Sequence, residues 1–395
     1  MKHFIASIVL LAAFACGAAT KTLTLLADPY AVEEAGSVYR SWVRQIILEG
    51  WRVHEIPVER WDRNFATNHW KLLNRMSNAV ARTSPDAVQI FGSLPYLLTG
   101  EHSSDGHSSD RRIIATDAWL GCTNLVMDDV LDWDLTLPIG ASNVPGDGKP
   151  DLIEGNFNIP VSRIDAAGML AVGGNGSTFS SGYLAGVQVY QAIPEGEWLR
   201  RYLTNNLAYR RKHFSFEAKG RIDTGWLNAS AIPPLNTSVT WTTSAATSSF
   251  AGISNLLAYV GFEIGLSSPN FITAEGVPSF FLLLDVFKSY HMDEEGSGQH
   301  LRRPLFPGWI DRPIALVTTW GTGFYGANPY WAGATSDTTI ADFIRSSVAQ
   351  SSGGTPLMAK FYRHWINGDL TLPCDPIVGN PTGSTSATTL KLVTP

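Results

Sequence analysis

The densest cluster of side chains able to hold a metal or move a proton is GEHSSDGHSSD, residues 100–110, followed closely by Thr116 and Asp117. Asp105, His107, Asp110 and Asp117 could together hold a divalent cation, or Asp105 could orient His107 as a general base. The same composition also makes a solvated loop, because Asp and Ser side chains close turns on their own backbone. A second acidic stretch carries Asp128, Asp129, Asp132 and Asp134, and then PGDGKPD over residues 145–151. There Asp147 and Asp151 alternate with glycine as in a calcium loop and are candidate calcium ligands; the twelve-residue spacing with a terminal Glu is missing, and an ordinary turn is the competing reading. Arg163 lies in the short apolar segment IPVSRID. A guanidinium in such a setting needs a carboxylate, and the acidic loop is the expected source.

Nucleophilic chemistry finds less support. The chain has no G-x-S-x-G elbow, no phosphate loop ending in Lys-Ser/Thr, no H-E-x-x-H and no paired C-x-x-C. His291, His300 and His364 stand in polar surroundings that fit surface positions. Asp285 is different, because it interrupts the apolar run FFLLLDV. A carboxylate there must be paired, protonated or at a strand end.

The elements that would position these groups alternate between α and β. Residues 22–27 and 51–58 read as strands, 33–49 and 70–81 as helices, and 87–92 (AVQIFG) as a buried strand. That order makes a βαβαβ half with a parallel sheet. Residues 93–181 are loop-rich, and 195–214 return to a helix with Trp198, Leu199, Tyr202, Leu203 and Leu207 on one side. The strands expected in the second half are 238–243, 256–261, 279–286 and 314–319, followed by a helix over 337–350 with Asp337 as its N-cap. The expected fold is therefore α/β, with mostly parallel sheet, helices on both faces and two α/β halves. Its boundaries are a leader at 1–19, a first half at 20–215, a second half at 216–379 and a Gly/Ser/Thr-rich tail at 380–395.

Composition limits the function. The chain has 395 residues, 44% of them hydrophobic and 16% charged, enough to bury a large core. Its net charge is -6 with Lys and Arg scattered, which argues against nucleic acid or an anionic membrane surface as the main partner. A basic start, an apolar run over residues 4–14 and small residues up to Ala19 have the form of an export signal. That run is shorter than the ~20 residues that span a bilayer, so no membrane span is expected after cleavage. The expected location is periplasmic, cell-surface or secreted. Cys16 follows Ala13-Phe14-Ala15, a poor lipidation context, and cleavage at Ala19 leaves Cys122 and Cys374, which an oxidising compartment could pair.

Taken in order, the segments resemble the gingipain-like cysteine peptidases, particularly divergent exported bacterial members. The matching segments are AVQIFGSLP, DGHSSD followed by ATDAWLG, IPVSRID, LLAYVGFEIG, SFFLLLDVF, IALVTTWGTGFYG and INGDLTLPCDPI, which together span most of residues 21–377. The resemblance implies a caspase-like fold in which one strand ends in Gly-His-Gly and the next in the nucleophilic cysteine. Here the histidine position falls on Phe262 and the cysteine position on Asp285 or Val286. Neither pair can perform proton transfer and thiolate attack. The implied protein is an exported domain that has lost peptidase activity and acts as a binding or surface component, with a protein or peptide as its expected ligand. Two alternatives stand beside it: an active hydrolase using the 100–117 loop, and a calcium-stabilised structural or adhesive module.

Overall fold

The computed structural model describes residues 21–61, 69–98, 102–103, 111–112, 115–129, 146, 150, 152–166, 170–178, 188–192, 194–211, 217–224, 240–244, 256–262, 279–286, 315–320, 339–342, 345 and 365–372. The first half opens with β1 (Thr22–Ala27), α1 (Pro29–Ala35), α2 (Ser37–Leu48), β2 (Arg52–Pro57), α3 (His69–Thr83) and β3 (Ala87–Phe91). The single helix expected over 33–49 is two helices. Asp28 caps α1 by accepting from the Tyr30 N–H at 3.0 Å, and Gly36 at φ 64° breaks the chain before α2.

The stretch expected to be loop-rich contains several short strands: β4 (Leu97–Leu98), β5 (His102–Ser103), β6 (Arg111–Arg112), β7 (Ala115–Thr116), β8 (Cys122–Asp128), β9 (Leu152–Phe157), β10 (Val161–Ile164) and β11 (Leu170–Thr178). A 3-10 turn, Ala118–Gly121, leads into β8. Then follow β12 (Gln188–Ala192), α4 (Glu195–Arg210), β13 (Glu217–Thr224), β14 (Thr240–Ser244), β15 (Leu256–Phe262), β16 (Ser279–Val286), β17 (Ala315–Trp320) and β18 (Trp365–Gly368).

Among the described residues, ten strands form one sheet in the order β14-β13-β15-β16-β17-β18-β10-β3-β1-β2. Every neighbouring pair is parallel except β17 and β18, which are antiparallel. The sheet therefore reverses polarity at one seam. The strand ends of the two halves that should collect chemical groups consequently lie at opposite edges.

Helices cover both faces of the first half. Phe91 stacks against Tyr39 and Trp42 of α2, with ring centroids 4.8 Å and 5.8 Å away. On the other face, the Thr24 hydroxyl meets that of Thr83 of α3 at 2.5 Å. β1 and β3 are buried almost throughout, which is why they read as near-continuous apolar runs. The edge strand β2 instead exposes Arg52, His54, Glu55 and Pro57, residues that discourage another chain from pairing with it.

The C-terminal part of the chain completes the first half. Ile340 and Ala341 donate backbone hydrogen bonds to the carbonyls of Leu372 and Leu370. Lys21, at the start of β1, pairs with Asp342 at 2.5 Å. Thr339 and Asp342 cap each other reciprocally: the Thr339 N–H donates to the Asp342 carboxylate, and the Asp342 N–H donates to the Thr339 hydroxyl. Thr339 thus takes the capping role expected of Asp337, which lies outside the described residues.

Candidate functional site

In open α/β sheets, ligands gather outside the carboxyl ends of the strands. At that edge of the second half, the parallel register sets Phe262 of β15 directly beside Asp285 of β16. Thr224 of β13 and Thr319 of β17 continue the same row on either side. Val286 lies one position further along, opposite Trp320. Asp285 is the penultimate residue of its strand, so its interruption of an apolar run is explained by a strand end.

The corresponding edge of the first half is built from charge. Arg163, wholly buried on β10, donates from Nε and Nη2 to the two Asp117 oxygens at 2.7 Å each. Its Nη1 donates to the Leu94 carbonyl at 2.9 Å and to Asp165 at 3.3 Å, and its Nη2 donates to the Pro95 carbonyl at 3.3 Å. The guanidinium also lies 5.7 Å from the Tyr96 ring centroid. Burial works against its charge, but Asp117 foremost, with Asp165, holds its pKa above the ordinary arginine value. The expected carboxylate partner exists, but it comes from the first polar stretch and not from the acidic loop at 128–151. The short 3-10 turn after Asp117 brings that residue back over β10, a folded-chain proximity that sequence spacing does not reveal.

A second charged knot sits beside it. Arg60 donates to Asp28 at 2.8 Å and bidentately to Glu195 at 3.1 Å and 2.6 Å, and it covers the Tyr30 ring at 4.6 Å. Burial pushes the Asp28 carboxyl up, opposed by the charge of Arg60 and by backbone hydrogen bonds of Tyr30 and Ser93. Glu195 is also raised by burial, against Arg60, with Asp165 and Asp28 adding to the rise. His69 of α3 reaches this region through its contact with Trp61. It is held at 2.8 Å from the Tyr96 carbonyl and packed on Trp61, and burial lowers its pKa.

A third cluster lies just past β18. Asp369 is 1% exposed and accepts from Trp42 Nε1 at 2.7 Å, Asn206 Nδ2 at 2.9 Å, Arg210 Nη2 at 2.5 Å and the Thr371 N–H at 2.9 Å. Burial alone would raise its pKa, but Arg210, Thr371 and Trp42 outweigh burial and hold the carboxyl below its ordinary value. Gln89 braces the same place, with its oxygen accepting from the Leu370 N–H and its nitrogen donating to the Gly368 carbonyl. These contacts fasten the C-terminal segment to α2, α4 and β3.

Asp105, His107, Asp110, Asp147, Asp151 and Cys374 lie outside the described residues. Of the PGDGKPD stretch, the Gly146 N–H donates to the Asp129 carbonyl at 2.7 Å, so Gly146 lies beside the end of β8. Among the described residues, no group of three or more His, Cys, Asp and Glu side chains could hold a metal ion. No helix among them is long and apolar enough to cross a membrane. Sequence reasoning missed Asp28, Arg60, Glu195, Gln89 and Asp369. Asp28 before Pro29 carried a helix-start signal, and Gln89 stood out as a polar residue inside AVQIF, but nothing local marked Arg60. No family model, curated protein or solved structure matches the chain.

Proposed function

We propose that this chain is an exported gingipain-like domain with a vacated catalytic dyad, acting as a binding or surface component. The observation that carries the reading is the register of β15 and β16. The two positions that a histidine and cysteine would need to share are adjacent at the carboxyl ends of parallel strands, and they hold Phe262 and Asp285. A phenyl ring cannot accept a proton, and a carboxyl beside it is a poor substitute for a thiolate. Asp285 is the cross-strand partner of Phe262 and Val286 follows it, so both remain candidates for the position of the nucleophile.

The alternative hydrolase reading draws on Asp117, and Asp117 is already bound on both oxygens by Arg163. A carboxylate fixed in that way serves packing better than proton transfer. The first test is to expose the purified mature protein to electrophilic peptide probes and look for a covalent adduct by intact mass. The reading expects none. An adduct formed only by the folded protein, together with turnover of the parent peptides, would overturn it.

A further inference from the structure

The first half has a topological switch point between β1 and β3, since the chain leaves β1 for β2 on one side and β3 lies on the other. Such points are where α/β sheets open a crevice. Here the crevice is crossed by residues 58–61. The Val58 N–H donates to the Ala27 carbonyl and the Trp61 N–H to the Ser93 carbonyl, both at 2.9 Å, so the segment ties the end of β1 to the turn after β3. Arg60, the charged centre of this crossing, makes its three side-chain bonds to carboxylates on other elements. We propose that residues 58–61 form an acid-released strap over this switch point, latched by Arg60 on Asp28 and Glu195.

Arg60 keeps its charge at any biological pH, so only its partners can change. Glu195 faces Arg60, Asp165 and Asp28; Asp28 faces Arg60 and the backbone of Tyr30 and Ser93. Of the neighbouring charges on α1 and α4, Arg201 bonds Glu197, Arg200 bonds the Glu34 carbonyl, and the Glu34 carboxylate lies against Gly196, next to Glu195. Burial raises both latch carboxyls, so they take up protons before ordinary carboxylates do, while Asp369 stays ionised and holds the sheet to its helices. Neutral Asp28 and Glu195 remain suited to their buried places. The Arg60 side chain, 33% exposed, then turns to water and the strap loosens locally.

The test is amide hydrogen exchange of the mature protein between about pH 7 and pH 4.5, corrected for intrinsic rates. The strap amides should lose at least about tenfold in protection as pH falls, while those of β1 and β3 keep theirs. Arg60→Ala should exchange fast at both pH values, and Glu195→Gln, which keeps the shape, should show a reduced response. His69 packs on Trp61, so His69→Asn is run in parallel and should respond as the natural protein does. The proposal is overturned by a pH-independent strap, by loss of protection across the whole sheet, by an unchanged response in Arg60→Ala, or by a response that disappears in His69→Asn.

Discussion

At the carboxyl ends of the first-half strands stand Asp28, the Arg60 strap and the Arg163–Asp117 pair, whereas the second-half strands β15 and β16 end on Phe262 beside Asp285. The polarity reversal between β17 and β18 puts these two ends on opposite edges of one sheet. In the first half, the charged groups bond to one another and are spent on holding elements together. In the second, the paired positions at the strand ends hold a phenyl ring and a carboxyl, and neither is an imidazole or a thiol. A polar group at a strand end is therefore no guide to catalysis until its partners are counted.

Substitutions in the first-half edge should cost stability, in descending order. Arg163→Met removes the guanidinium that bonds both oxygens of the buried Asp117 and reaches Asp165, and should destabilise by about 3–5 kcal/mol in urea unfolding. Asp369→Ala removes the acceptor shared by Arg210 Nη2, Trp42 Nε1 and Asn206 Nδ2 and should cost about 3 kcal/mol, with less than additive loss when combined with Arg210→Met. Gly92→Ala should cost about 1–3 kcal/mol, because a Cβ there would lie 2.6 Å from those of Asp28 and Ala31, at a φ of 91°. A loss below about 0.5 kcal/mol for Arg163→Met would break the contrast between the two edges.

The pH dependence sharpens the same comparison. The carboxyls of Asp369 and Asp342 are depressed, so their stabilisation is present above the ordinary carboxylate range and is lost as pH falls through their lowered values. Asp28 and Glu195 are raised, so their contribution is full below the ordinary range and is lost as pH rises through their raised values. Unfolding curves across pH should therefore show a flatter mild-acid limb in Glu195→Gln and a flatter strong-acid limb in Asp369→Asn.

Much of the scaffold was legible because its signals are local. β1, β3, β15 and β16 are apolar runs, and α4 follows a helical stripe. β13 was missed because EAKGRIDT has few apolar residues, and β18 because WING is only four residues long. Strand order, the antiparallel seam and the pairing of Arg163 with Asp117 depend on contacts far apart in sequence, which no residue pattern encodes. The candidate dyad positions were visible only through resemblance. That Asp285 is the cross-strand partner of Phe262 required the register.

The most direct test is cleavage of a mixed peptide library by the natural protein and by the Phe262→His, Asp285→Cys double variant side by side. The account predicts an inert natural protein and measurable cleavage by the double variant. Robust cleavage by the natural protein would contradict it.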